Sequence, residues 1–139
     1  MKSLASLIRL HKWRLEEKRR ALASLQGLRA DLTRQAVELE AEVGREQQTA
    51  KAGEGGWTYA GYARAVIQRR ENIQRSIAEV EKRIELARDE VNAAWRETRK
   101  YELAEERNQI RERAELARVE RLELDEIALT QNRLKQSQG

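Results

Sequence analysis

The chain has 139 residues, 37% of them charged and only 4% aromatic, with no Phe, Pro or Cys. So little aromatic bulk argues against a compact globular core, and the absence of cysteine excludes disulfides, thiolate metal sites and iron–sulfur clusters. The net charge of +4 is small but uneven, with a basic stretch over residues 2–20 and an acidic one from Glu120 to Glu126 that could attract each other or complementary patches on a partner.

The first predicted element is a helix over about residues 3–48. One heptad frame puts Leu4, Ile8, His11, Leu15, Lys18, Leu22, Leu25, Arg29, Leu32, Ala36, Leu39 and Val43 on a single stripe. Most of these are apolar, which is the signature of a helix burying one narrow seam. Leu28 lies beside the stripe and suggests that the seam drifts near Arg29.

A loop follows over about residues 50–57, around Gly53-Glu54-Gly55-Gly56. Its glycines can take the positive φ that a sharp reversal needs. Thr58 is placed to cap the next helix.

The second helix is predicted over about residues 59–131. Its stripe runs Tyr59, Ala63, Val66, Arg70, Ile73, Ile77, Val80, Ile84, Ala87, Val91, Ala94, Thr98 and Tyr101, then meets Glu105, Asn108, Glu112 and Glu115. The seam is therefore expected to fail after Tyr101. Two apolar stripes joined by a glycine-rich break predict an all-α fold. Two long helices form an antiparallel coiled-coil hairpin, with residues 1–139 making a single elongated domain.

If Val43 packs near Ala60, antiparallel counting sets Leu4 opposite about residue 99. The second helix then projects beyond the first from about residue 102. Leu103, Ile110, Ala114, Ala117, Leu122, Leu124, Ile127 and Ala128 give this extension apolar surface, the mark of a docking face. Glu16–Arg20, Glu71–Arg75 and Glu79–Arg83 have the spacing of helix-stabilising ion pairs.

Such a hairpin has almost no room for an enclosed pocket, so its function is expected to be contact with other proteins and not catalysis. His11 is the only histidine, too few for a metal site without cysteine. Gly53 and Gly55 begin a GxGxxG pattern, but Thr58 holds the last glycine position and no GK[ST] follows. The carboxylates near Glu120 have no pocket to shift their pKa. Beyond residue 20, Lys and Arg alternate with Glu, which argues against nucleic acid. No run approaches the roughly 20 apolar residues of a membrane span. Leu4 to Ile8 is too short for a signal peptide and is followed at once by Arg9, His11, Lys12 and Arg14, so the chain reads as cytosolic. Trp13, Trp57 and Trp95 stand either as packing at the ends of the paired region or as anchors for partners.

Three stretches resemble the FliJ family of flagellar type III export proteins, which includes secretion-system stalk proteins of the YscO type. They are Ser3 to Trp13 with Glu17-Lys18-Arg19-Arg20, Trp95 to Arg107, and Glu120-Arg121-Leu122-Glu123-Leu124-Asp125-Glu126-Ile127-Ala128. The last, with Glu120 and the Asp125-Glu126-x-Ala128 spacing, is the most specific. The resemblance implies a non-enzymatic, cofactor-free coiled coil acting in flagellum biogenesis, and through it chemotaxis. It would bind the hexameric export ATPase FliI through Leu4, Arg9, Trp13, Arg20, Glu120, Leu124, Asp125, Glu126 and Ala128, promoting ring assembly and hydrolysis. It would also contact the export gate protein FlhA through Tyr62, Val66 and Ile73, although the family's Phe is absent from this patch. It implies contacts with export chaperones, a monomer when free, and a cytoplasmic position peripheral to the inner membrane at the flagellar base. The alternative is a homodimeric structural coiled-coil scaffold unrelated to secretion.

Overall fold

The computed structural model describes residues 2–53 and 59–138. Helix α1 spans Lys2–Lys51 and α2 spans Tyr59–Gln138. The two pack against each other as an antiparallel helical hairpin, with no strand among the described residues. No proline interrupts either run, and strong helix formers fill both,. Helix α1 unwinds as Ala52 N donates to the carbonyls of both Gln48 (3.1 Å) and Thr49 (3.2 Å), and Gly53 N donates to that of Ala50. Gly53 then turns to φ +88°, a left-handed conformation that glycine enters without steric cost,. Helix α2 continues past the expected end near residue 131, because no Pro or Gly stands between Thr130 and Gln138 to stop it,. The expected cap Thr58, together with Trp57, Gly55 and Gly56, lies outside the described residues.

The described residues fall into two compact units, Lys12–Trp95 and Met1–His11 with Arg96–Gly139. In the first, Leu15, Leu39 and Val43 of α1 and Val66, Val80, Ile84 and Ala87 of α2 are buried. All seven are members of the two predicted stripes. Leu39 and Ile84 retain only 2% and 1% of their surface, and a fully buried Leu, Ile or Val contributes about 1.5–3 kcal/mol relative to an exposed one. Leu28 stays exposed while Arg29 is partly buried, so the seam does not drift there as the sequence suggested.

Two seam positions carry cations that turn outward to carboxylates on the opposite helix. Lys18 Nζ lies 3.1 Å from Glu90. Arg70 holds both oxygens of Glu40, with Nη2 donating to Oε2 at 2.7 Å. Both cationic side chains are exposed, so the two pairs face water. The hydrogen bonds from Arg70, helped by its charge, hold the Glu40 carboxyl below the ordinary glutamate pKa. A depressed carboxylate pKa contributes stability above the unfolded value, and this is lost as pH falls through the folded value. In Arg70→Gln, Glu40 is therefore expected to titrate at its ordinary value by carboxyl NMR. The small stability advantage of the parent over this variant should close on acidification. An unchanged Glu40 titration would show that Arg70 does not set it.

In the second unit, Thr98 is buried and its Oγ1 donates to the carbonyl of His11 at 3.2 Å. The His11 ring stacks on Tyr101, with centroids 4.6 Å apart and planes 21° from parallel. These contacts correct the expected register. His11, not Leu4, stands at the level of residues 98–101, one heptad later than antiparallel counting gave. The cause is visible at the turn: Val43 packs with Val66 instead of near Ala60, because α1 reaches Lys51 and α2 starts only at Tyr59. The seam accordingly does not fail at Tyr101. Partial burial continues through Leu103 and Glu105 to Asn108.

Of the expected i,i+4 ion pairs, Glu79–Arg83 forms at 3.5 Å. Glu16 instead pairs with Arg19 and Glu17 with Arg20, while Arg75 donates to Asn72. Neighbours three residues away compete on equal terms with those four away.

Candidate functional site

With its seam filled by side chains, the hairpin offers outer faces to partners. The longest such face is the end of α2, where every described residue from Gln109 to Gln138 is exposed. Ile110, Leu116, Val119, Leu122, Leu124, Ile127, Leu129 and Leu134 all keep substantial surface. Leu116, Leu129 and Leu134 were not among the apolar residues named there from the sequence, although Leu129 lies one heptad after Leu122, which was the available signal. Beside these apolar residues stand the exposed acids Glu120, Asp125 and Glu126, with Ala128 also exposed. Glu123, Glu126, Ile127, Thr130 and Gln131 line an open groove along this helix. Just before it, Arg118 grips Glu115 at 2.6 Å; that hydrogen bond lowers the Glu115 pKa and raises that of Arg118.

In the same unit, Leu4 is partly buried and Arg9 is exposed, with Arg9 Nη2 donating to Ser6 Oγ. Leu4 and Arg9 are not brought to the acidic stretch. The last partly buried residue, Asn108, precedes Glu120 by several turns, and no ion pair joins the two stretches among the described residues.

In the Lys12–Trp95 unit, Trp13 is 61% exposed and Trp95 also lies largely in water. Packing at the end of the paired region does not explain either ring. Arg20 is exposed and paired with Glu17 at 2.8 Å. The patch of Tyr62, Val66 and Ile73 faces inward: Val66 retains 5% of its surface, and Tyr62 and Ile73 pack against the Leu39–Val43–Val66 cluster. Val66 thus offers almost no surface to a partner. Ile67, which follows it, is 52% exposed; an apolar β-branched residue off the stripe was the available signal for it.

No group of three or more His, Cys, Asp or Glu side chains is arranged to hold a metal ion among the described residues. Nor is any helix there long and apolar enough to cross a membrane. The arrangement can dock proteins along extended faces, and the carboxylates from Glu120 to Glu126 lie in the open.

No curated protein and no solved structure matches this chain. The family model described as Flagellar FliJ protein matches residues 1–137, a span that takes in α1, the turn and almost all of α2. With the helical hairpin in hand and nearly the full sequence matched, the chain belongs to the FliJ family, whose members are non-catalytic proteins of flagellar export.

Proposed function

We propose that this protein is a stalk-like component of the flagellar export apparatus that binds the hexameric export ATPase FliI, promotes its assembly and hydrolysis, and links it to the gate protein FlhA. The observation that carries the reading is the exposed end of α2. Thirty consecutive residues from Gln109 to Gln138 are exposed yet retain large apolar side chains. A solitary helix gains nothing from exposing such residues, whereas a docking helix needs them. Glu120, Leu124, Asp125, Glu126 and Ala128 lie on this segment, and they are the proposed ring contacts together with Leu4, Arg9, Trp13 and Arg20. The exposure of Trp13 suits an aromatic anchor.

For the gate, Tyr62 and Ile73 are the proposed contacts. Buried Val66 supports them from beneath, and exposed Ile67 adds apolar surface. Contacts with export chaperones and a position at the cytoplasmic side of the inner membrane belong to the same reading.

The experiment is ATP hydrolysis by the cognate ATPase at low concentration, where ring assembly limits the rate. Stimulation that saturates below one copy per ATPase subunit is expected. Sedimentation of the free protein should give a monomer. No stimulation, together with a stable dimer, would overturn the reading in favour of a homodimeric scaffold.

A further inference from the structure

The seam of the Lys12–Trp95 unit is nearly self-similar under a shift of seven residues. Sliding α2 by one heptad, toward the register in which Leu4 would meet residue 99, replaces Val80 by Ile73, Ile84 by Ile77, Ala87 by Val80 and Val91 by Ile84. Each replacement exchanges one apolar residue for another, so hydrophobic burial alone discriminates weakly between the two registers.

The charged residues are not self-similar. In the observed register Lys18 meets Glu90 at 3.1 Å, Arg70 clasps Glu40 through two nitrogens, and Arg69 approaches Glu42 at 3.6 Å. After the slip, Arg83 would take the place of Glu90 and face Lys18 with like charge. Ala63 would take the place of Arg70 opposite Glu40, and Arg70 would move beside Thr33. The first two links share one construction. A cation occupies a seam position of one helix, and its carboxylate flanks the seam of the other. They are also reciprocal, with one seam cation contributed by each helix.

We propose that Lys18 and Arg70 are register-determining residues: they interrupt the apolar stripes in order to exclude the one-heptad slip. Exposed ion pairs contribute little to total stability. Choice between two registers of similar apolar burial depends only on the difference between them, and there the pairs and the like-charge clash act in the same direction. A polar interruption at a seam position that sacrifices some stability for a unique alignment is a known device of helical coils.

The absence of native cysteine allows a direct test on the full chain. Ala36 and Ile73 line one small groove between the helices, so Ala36→Cys with Ile73→Cys reports the observed register. Ala36→Cys with Val66→Cys reports the slipped one. In the observed register position 66 is displaced by one heptad, about 10 Å along the helix, beyond disulfide reach.

In the otherwise unaltered chain, the first pair should oxidise to an intramolecular disulfide and the second should not. Adding Lys18→Leu and Arg70→Leu should raise slipped-pair cross-linking about tenfold or more, while the helical circular dichroism signal is retained and the melting temperature is equal or higher. Lys18→Glu is the second variant. It sets like charges against each other in the observed register and opposite charges in the slipped one, and should also favour the slipped pair. Charge exchange, Glu40→Arg with Arg70→Glu, should keep the observed pair alone. Exclusive cross-linking through the observed pair in both the Lys18→Leu/Arg70→Leu and the Lys18→Glu chains would overturn the proposal. Free formation of the slipped disulfide in the parent would overturn it equally.

Discussion

Ile84→Ala should cost the protein about 2–4 kcal/mol of stability, whereas Ile110→Ala should change it by less than about 0.5 kcal/mol. Ile84 is the most completely covered of the core side chains, at 1% exposure, and it sits on the predicted stripe with Val80 and Ala87, which are close by in sequence and also buried. Truncating it removes the transfer free energy of its methyl groups and leaves a void that two packed helices close only in part. Ile110 has the same chemistry on the same helix but lies in the exposed segment, so its removal from water on folding is slight. Since natural domains are stable by only about 5–15 kcal/mol, Ile84→Ala should move the urea midpoint far enough to be unmistakable. Equal losses from the two substitutions would show that residues around Ile110 are buried in the free protein, and would undo the assignment of that segment as a docking face.

The comparison of these two isoleucines also shows what the sequence makes legible. Heptad spacing alone identifies the buried face: Leu15, Leu39, Val43, Val66, Val80, Ile84 and Ala87 all stand on the predicted stripes. Register is another matter. A seven-residue repeat looks the same to itself one heptad away, so it had to be inferred from the turn. An assumed contact of Val43 with Ala60, where the structure pairs Val43 with Val66, carried a full heptad of error to the other end of α1. Charged and polar links such as Lys18–Glu90, Glu40–Arg70 and Thr98–His11 break that degeneracy. Their partners cannot be read before the alignment is known.

The candidate site shows the same division. The exposure of the acidic stretch near Glu120 could be read from the exhaustion of the apolar stripe, although the limit falls after Asn108 and not after Tyr101. The patch of Tyr62, Val66 and Ile73 was assigned by resemblance, while periodicity had already placed Val66 and Ile73 on the buried stripe. Those two readings conflict for Val66, and burial decides against it as a contact surface. Resemblance transfers positions along a chain; it does not transfer which side of a helix they face.

Ending the chain after Asn108 should abolish stimulation of the export ATPase while leaving the thermal transition of the paired helices nearly unchanged. Every described residue from Gln109 onward is exposed, and the ion pair within that stretch, Glu115–Arg118, is local to its own helix. Its deletion therefore removes no seam contact. The apolar residues lost with it, from Ile110 to Leu134, can contribute only to a surface supplied by another molecule.

Within the intact chain, Asp125→Lys with Glu126→Lys separates charge from apolar contact. Both residues are exposed, so the pair should fold normally. If Asp125 and Glu126 meet basic groups on the ring, reversal replaces attraction by repulsion and should lower stimulation at least about tenfold, with a steep dependence on salt. Loss on truncation together with full activity of the charge-reversed chain would assign docking to the apolar residues and release the acids from that role. Full stimulation by the chain ending at Asn108 would move the ring contact away from the end of α2 altogether, leaving Leu4, Arg9, Trp13 and Arg20 as the surface to test.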